Sequence, residues 1–183
     1  MALPSTIYTL ELALSDVDRG VYETLDLRVA RHPSETMRYL LLRVLAYALS
    51  YEDGVTFSKG GLSSTDEPPV SVVDPTGRLV AWIDVGAPSA ERLHKASKAA
   101  DRVAIFTAAD PAQLQRDAAA KGVHKAEEIP IFSVPAAFLD DLEQRVERRT
   151  RLELTRTGGQ LYVTVGGATL DAELTETPLA PAS

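Results

Sequence analysis

The stretch VAWIDVGAPSAERLHKASKAADRVAIF, residues 80–106, contains two apolar segments separated by a polar one. Continuous apolar runs such as VAWIDV and RVAIF are typical of buried strands. Between them, Pro88 indicates the start of a helix whose core stripe includes Leu93 and Ala96. Asp84 lies near the end of the first strand, where an ionised group is costly unless it is paired or holds a metal. The stretch predicts a strand–helix–strand unit in which Asp84 has a partner.

The residues before this stretch predict a further helix and two more strands. RHPSETMRYLLLRVLAYALSY (31–51) has apolar residues at helical spacing on two sides, which indicates a buried helix beginning at Pro33. VTFS (55–58) and VSVV (70–73) are short apolar runs, and the turn DPTG joins the second of them to the strand that carries Asp84. The predicted order across residues 33–107 is helix, three strands, helix, strand.

Alternating segments flank this core on both sides. TIYTLELALS (6–15) and VYETLDLRVA (21–30) predict an N-terminal β-hairpin, and two or three strands linked by glycine pairs are expected across 150–175. The segment that joins the core to these strands predicts a helix at about 110–121, the strand IPIFSV and a helix at 135–148. The last residues, TPLAPAS, are expected to be disordered.

These elements predict a mixed α+β fold with an α/β-like core. We expect residues 1–183 to form a single domain, with residues 33–107 as a core built on a mixed sheet. The flanking β-hairpins, residues 1–30 and 150–175, are expected to form a second small sheet.

The composition excludes several classes of protein. The chain has no cysteine, so it has no disulfide, thiolate metal site or cysteine nucleophile. No apolar run approaches the roughly 20 residues that span a membrane, and no leader is evident, so we expect a soluble cytoplasmic protein. The net charge of -7 argues against non-specific polyanion binding over the whole surface. The acidic excess lies in the flanks, because residues 31–107 balance their charges.

Four carboxylates in the core segment are candidates for a metal site. If the two strands around the DPTG turn pair tightly, Asp84 lies across from Glu67 and its neighbour Asp66. Facing acids repel unless a divalent cation lies between them, and magnesium or manganese favours such oxygen ligands. Glu35, near the start of the buried helix, would complete the set. The pattern predicts a Mg or Mn site formed by Asp66, Glu67, Asp84 and Glu35.

Each of these residues also has a purely structural interpretation. Glu35 could stabilise the helix dipole, and Asp66 and Glu67 beside two prolines could form a turn. Asp84 could cap the following helix or pair with Arg92. Lys95 could be a solvated surface residue. These alternatives remain open on the sequence alone.

Three motifs give the chain a specific resemblance. RHPSET (31–36), DEP (66–68) and WIDVGAPSAERLHKA (82–96), in this order, resemble the YaeQ family of bacterial proteins. The fold of that family resembles the PD-(D/E)XK core of restriction-endonuclease-like nucleases, whose αβββαβ order is the one predicted above. The resemblance covers nearly the whole chain. It implies that Glu35, Asp66 or Glu67, and Asp84 are the acids of a nuclease-like site.

The chain departs from the nuclease signature at two positions. Gly86 stands where the signature has its lysine, and Thr65 stands where it has a proline. The resemblance implies that Lys95 supplies the cation, with Arg92 as the alternative. The implied catalytic set is Glu35, Asp66, Glu67, Asp84 and Lys95. Cations expected to contact substrate phosphates are Arg31, Arg38, Arg92 and Lys98, and further candidates are Arg43, Lys59 and Arg102.

Three functions compete at this point. The first is a Mg-dependent nuclease-like enzyme that acts on nucleic-acid phosphodiesters. The second is a catalytically inactive member of the fold that serves as a nucleic-acid-binding or protein-binding accessory. The third is a structural or oligomeric protein without a nucleic-acid partner. The sequence does not decide between DNA and RNA, and it names no protein partner.

Overall fold

A computed structural model describes residues 3–59 and 66–181 as two β-sheets with four α-helices. No helix in this part of the chain is long and apolar enough to cross a membrane. The strands are β1 (Thr6–Asp16), β2 (Val21–Arg31), β3 (Val55–Phe57), β4 (Val70–Val73), β5 (Leu79–Val85), β6 (Arg102–Thr107), β7 (Pro130–Ser133), β8 (Arg149–Thr157), β9 (Gln160–Val165), β10 (Ala168–Glu173) and β11 (Thr175–Pro178). The helices are α1 (Met37–Leu49), α2 (Ala90–Ala99), α3 (Pro111–Lys121) and α4 (Ala136–Glu143), with a 3-10 helix at Ala126–Glu128.

The terminal strands form one five-stranded sheet in the order β10-β9-β8-β1-β2. β1 pairs with β2 in an antiparallel manner and with β8 in a parallel manner. Leucines at alternate positions of β1, such as Leu10 and Leu12, are fully buried, while the intervening side chains face outward. The prediction of a second sheet built from both flanking segments is confirmed.

The core strands form a six-stranded mixed sheet in the order β11-β7-β6-β5-β4-β3. The predicted order helix, three strands, helix, strand is confirmed as α1, β3, β4, β5, α2 and β6. Buried residues of α1 and α4 share one apolar core with the inward faces of both sheets. α2 and α3 cover the opposite face of the six-stranded sheet, where Trp82 packs with Leu93 and Ala96.

Two predicted helix starts were wrong by a few residues, because a capping side chain and not proline sets each start. α1 begins at Met37, where Oγ1 of Thr36 accepts the N–H of Tyr39 at 3.1 Å. α2 begins at Ala90, where Oγ of Ser89 accepts the N–H of Arg92 at 3.1 Å. α4 ends at Glu143, shorter than the predicted segment. Glu35 therefore precedes α1 and is not in its first turn.

The expectation of a disordered C-terminus is wrong for the described residues up to 181. β11 pairs with β7 in an antiparallel manner, so its backbone forms hydrogen bonds with the N–H and C=O groups at the edge of β7. Leu179 is fully buried in the core that contains Ile129 and Ile131. The pairing of β11 with β7 and the burial of Leu179 hold this segment in place. The sequence did not predict either contact, because the composition of the segment is typical of turns.

A register shift changes the predicted position of the acidic pair. Val70 lies opposite Ile83, and the ladder between β4 and β5 is irregular between Val72 and Val73. β4 begins at Val70, so Asp66 and Glu67 precede the strand. The predicted cross-strand pairing of Asp84 with Glu67 is therefore wrong. Thr65 lies outside the described residues.

Candidate functional site

Glu35 is held by a buried arginine of the helix that follows it. Arg43 donates from Nε to Oε1 of Glu35 at 2.9 Å and from a terminal nitrogen to Oε2 at 2.9 Å. The backbone N–H of His32 donates to the same Oε2 at 3.2 Å, and Arg43 also donates to the carbonyl of Ala30. Glu35 is 2% exposed and Arg43 is 3% exposed. The carboxylate is therefore neutralised inside the core by a bidentate ion pair.

Asp84 forms the second buried pair, on the face of the sheet that α2 covers. Its Oδ2 accepts from Nε of Arg92 at 2.8 Å and from Nε1 of Trp82 at 3.0 Å. Its Oδ1 accepts one longer bond, from the N–H of Val85 at 3.3 Å. The guanidinium of Arg92 lies 5.2 Å from the centre of the Trp82 ring. Of the interpretations left open by the sequence, the ion pair with Arg92 is the one observed.

Arg92 also connects this pair to the segment before β4. One of its terminal nitrogens donates to the main-chain carbonyl of Glu67 at 2.8 Å. The side chain of Glu67 makes a different contact: its Oε2 accepts a hydrogen bond from Oγ of Ser58 at 2.8 Å. Asp66 pairs with Lys95 at 2.5 Å on the surface. The hydrogen bond and charge of Lys95 lower the pKa of Asp66 below its ordinary value.

Tyr39 lies between the two buried pairs. Burial raises its pKa, and the negative charges of Asp84 and Glu35 raise it further, while those of Arg43 and Arg92 act in the opposite direction. The Tyr39 ring also lies beside Gly86, where an added Cβ would come within 3.5 Å of Cε2. Gly86, directly after β5, therefore faces a tyrosine ring.

The geometry keeps Glu35 and Asp84 on opposite sides of the six-stranded sheet. Ile83 and Val85 point into the core that contains α1, whereas Trp82, two residues before Asp84, points toward α2. Because successive side chains of a strand alternate, Asp84 shares the α2 side with Trp82. Glu35 lies at the start of α1, on the other side. A single ion would have to bridge the sheet around the end of β5.

In the structure, three of the candidate carboxylates, Glu35, Asp66 and Asp84, are each paired with a basic side chain. Among residues 3–59 and 66–181, no group of three or more His, Asp or Glu side chains could hold a metal ion. The three acid–base pairs, Glu35 with Arg43, Asp84 with Arg92 and Asp66 with Lys95, each combine one negative and one positive charge. A hard cation gains most from uncompensated carboxylates. Metal binding by these residues stays a prediction.

Most of the cations expected to contact phosphate already have a protein partner. Arg31 donates to the carbonyl of Glu35 at 2.9 Å. Arg38 pairs with Asp140 at 2.7 Å, and Arg102 pairs with Glu52 at 2.6 Å. Lys98 is exposed on α2, and Lys59 is exposed at the end of the described segment before residue 60. Their contact with a substrate stays a prediction.

The sequence analysis missed a group of arginines on the outer face of the five-stranded sheet. Thr9 of β1 lies between Arg28 of β2 and Arg149 of β8, and Arg151 follows on the same face. Arg151 pairs with Glu11 at 3.1 Å. The side chains of Arg28 and Arg149 form no ion pair or hydrogen bond with any residue that the structure describes. Alternation alone predicts their outward direction, but only the parallel pairing of β1 with β8 brings them together.

Two clefts join these arginines to the candidate site. An open cleft of about 630 Å³ is lined by three arginines, Arg28, Arg149 and Arg151, together with Glu11, Thr9 and Thr150. A second cleft of about 320 Å³ shares Arg28 with it and continues to Ser58, Lys59 and Arg43. Arg43 is the partner of Glu35 and Ser58 is the partner of Glu67, so the second cleft ends at the candidate site. We call the two clefts, with Arg28, Arg149, Arg151 and Lys59, the basic groove.

Comparison with known proteins gives consistent results. A family model described as YaeQ protein matches residues 1–174. The YaeQ protein of Salmonella typhi is 29% identical over 181 residues, which is 96% of this chain and 97% of that protein. The YaeQ protein of Escherichia coli K12 is 36% identical over 107 residues, and the match spans 58% of this chain and 59% of that relative.

Solved structures agree with the sequence comparison. The crystal structure of YaeQ protein from Pseudomonas syringae superimposes with a TM-score of 0.86 at 33% identity, covering 96% of this chain and 97% of that one. The structure from Xanthomonas axonopodis pv. citri gives a TM-score of 0.86 at 28% identity, covering 97% and 99%. Motifs, fold and family match all lead to the same assignment: the chain belongs to the YaeQ family.

Proposed function

We propose that this chain binds the phosphate backbone of a nucleic acid along the basic groove and does not hydrolyse it. The observation that carries the proposal is the group of cations without an acidic partner. Arg28, Arg149 and Lys59 have none among the described residues, although the whole chain has a net charge of -7. Cations that are not already neutralised gain most from a phosphate, since binding releases its counterions.

The state of the carboxylates supports binding without hydrolysis. Glu35 and Asp84 are each bound by an arginine, and the charges of the pairs cancel. The two arginines also hold the nearby main chain, because Arg43 donates to the carbonyl of Ala30 and Arg92 donates to the carbonyl of Glu67. Under this proposal the nuclease-like centre has become a structural support at the end of the groove.

The chemistry of the groove favours contacts with phosphate and sugar. Its lining offers guanidinium groups together with the hydroxyl of Thr9. These groups bind backbone oxygens and carry little sequence information. We therefore expect similar affinity for oligonucleotides of different sequence, and a comparison of DNA with RNA would identify the preferred sugar.

A metal-dependent nuclease is the second candidate, and one observation favours it. Oδ1 of Asp84 accepts a single bond of 3.3 Å, so this buried oxygen has capacity for a further partner. Lys95, Asp66 and the main chain of Glu67 lie near the same helix, α2. Magnesium or manganese would then have to compete with Arg92 for the carboxylate.

Titration of a fluorescent single-stranded oligonucleotide in EDTA, followed by anisotropy, tests the first candidate. We expect charge reversal in Arg28→Glu or Arg149→Glu to weaken binding about tenfold each. Arg116→Glu is the matched control, because Arg116 is exposed on α3, beyond the opposite face of the six-stranded sheet. Equal losses in all three variants would refute a defined groove, and so would absence of binding by the parent.

Gel analysis of the same oligonucleotide with magnesium or manganese separates the two candidates. The first candidate predicts that its length is unchanged by the parent protein. Cleavage by the parent that is lost in Asp84→Asn would establish the second candidate instead. Cleavage that persists in Asp84→Asn would indicate a contaminating nuclease and would leave the prediction of no hydrolysis by this chain standing.

A further inference from the structure

A further cavity, separate from the two clefts of the basic groove, lies at the opposite end of the six-stranded sheet from the candidate site. It has a volume of about 370 Å³, within the range of small-molecule sites. It opens between the two sheets, near the starts of β5, β6 and β7, the end of α1 and the end of β8. We call it the inter-sheet cleft. Neither the basic groove nor the paired carboxylates contribute a residue to it.

The floor of the inter-sheet cleft is apolar. Ile83 and Ala104 line it from the six-stranded sheet, and Phe132 lines it from β7. Phe132 is fixed in place by stacking on Phe106, with 4.8 Å between ring centres. Ala104 lies opposite Ile83 in the sheet, and its short side chain adds little volume to the floor. An apolar ligand body of the size of one aromatic ring could lie against this surface.

One wall of the cleft carries an arginine with one unsatisfied hydrogen-bond donor. Arg156 points inward from the end of β8, with its side chain 14% exposed. Its Nε is buried and has no hydrogen-bond partner among the residues that the structure describes. Its guanidinium lies 5.8 Å from the centre of the Phe132 ring. The positive group is therefore held directly above the apolar floor.

Arg156 forms long ion pairs with two aspartates, and each of these also accepts shorter hydrogen bonds from other groups. Oδ2 of Asp18 lies 3.4 Å from Nε, but the two oxygens of Asp18 accept the N–H groups of Gly158 and Gly159 at 2.7 and 3.0 Å. Oδ2 of Asp16 lies 3.8 Å from a terminal nitrogen of Arg156 and accepts a hydrogen bond from Nε of Arg19 at 2.7 Å. The Nε of Arg156 therefore has a charged neighbour and no hydrogen-bond acceptor among the described residues.

The remaining charged residues of the cleft lie at its mouth. Arg102 and Glu52 pair with each other at 2.6 Å and are about half exposed. Glu128 is exposed and belongs to the 3-10 helix. Arg19 donates to the carbonyls of Ala48 and Tyr51 as well as to Asp16. None of these groups has a buried donor without a hydrogen-bond partner, as Arg156 has.

We propose that the inter-sheet cleft binds a small organic acid, with its carboxylate on Arg156 and its apolar body on Ile83 and Phe132. A carboxylate matches the planar donor set of a guanidinium, and the adjoining floor accepts an aliphatic or aromatic group. The site is independent of the proposed nucleic-acid groove, since it lies at the other end of the sheet.

Three probes test this assignment by NMR titration of the full chain. Phenylacetate has both parts, phenylacetamide keeps the shape without the charge, and acetate keeps the charge without the ring. We expect phenylacetate to shift the amide signals of Ala81, Ala104 and Phe132 and to bind at least about tenfold more tightly than the other two probes. Equal binding of phenylacetamide would refute the role of the carboxylate, and no shift at these residues would refute the site.

Two variants act on the two parts of the site separately. Arg156→Gln removes the charge, and Ala104→Leu fills the floor while leaving Arg156 in place. Each is expected to weaken phenylacetate binding about tenfold, whereas Arg116→Gln on α3 leaves it unchanged. Thermal melts report whether each variant folds. Ala104→Leu carries the test if Arg156→Gln does not fold, and unchanged affinity in a folded variant of either kind would overturn the proposal.

Discussion

Glu35 and Arg43 form an ion pair that has almost no access to water. Their side chains are 0% and 4% exposed, and they lie eight residues apart in the chain. Burial of two charges is costly, so such a pair contributes little compared with an apolar pair of the same shape. Loss of one partner is different, because it leaves the other charge buried without compensation.

We expect Arg43→Met to lower the free energy of unfolding by about 3–5 kcal/mol, since it leaves Glu35 unpaired. The double variant Glu35→Gln with Arg43→Met should recover part of the loss. Arg38→Met is the control on the same helix, because its exposed pair with Asp140 is worth less than about 1 kcal/mol. Denaturant unfolding provides all three values, and equal costs for Arg43→Met and Arg38→Met would contradict the account.

The sequence was informative about Asp84 and less so about Glu35. Asp84 lies in an apolar strand, so its need for a partner was evident, and the ion pair with Arg92 was one stated alternative. Arg43 was predicted to contact phosphate, on residue type alone. The bend before α1 folds Glu35 back against the helix, and helical periodicity does not extend to residues outside the helix. The catalytic role of Lys95 stays a prediction; its observed partner is Asp66.

At the scale of elements, Gly54 sets how closely β3 can follow β4. It has a φ of +94°, and a Cβ built on it would lie 2.1 Å from the carbonyl oxygen of Val73. Its own carbonyl accepts the N–H of Val73 at 3.1 Å. Any side chain at this position would push apart the two backbones that the hydrogen bond holds together.

Gly54→Ala should therefore cost more than backbone strain alone. Gly77 is the matched control, with a φ of +87° and no atom within 4 Å of an added Cβ. We expect Gly77→Ala to lower the unfolding free energy by about 1–2 kcal/mol, and Gly54→Ala to lower it by roughly twice that or more. Thermal or denaturant unfolding measures both. A Gly54→Ala variant no less stable than Gly77→Ala would show that β3 can move away from β4 without cost.

Apolar periodicity predicted most elements, whereas their ends depended on single polar contacts. The alternation of apolar residues in β1 and β2 and the apolar stripe of α2 were sufficient to predict that these elements exist and whether each is a strand or a helix. The exact starts of α1 and α2 depend on the hydroxyls of Thr36 and Ser89. β11 was missed because its sequence has no apolar alternation, and its strand conformation comes from pairing with β7.

At the scale of the whole molecule, two pairings between distant segments create the two proposed binding surfaces. β1 pairs with β8 in a parallel manner, which gathers Arg28, Arg149 and Arg151 on one face. The packing of β8 over the six-stranded sheet places Arg156 above Phe132. Neither contact is local in the chain, so a single sequence did not reveal either surface. The family motifs led instead to the paired carboxylates.

The most direct test of nucleic-acid binding by the groove is the salt dependence of oligonucleotide affinity in EDTA. A site that neutralises phosphates shows a linear fall of log affinity with log salt, and loss of one phosphate contact reduces the slope by about one. For the double variant Arg28→Gln with Arg149→Gln, we predict a slope smaller than that of the parent by about two. Identical slopes for the parent and the double variant would contradict the account.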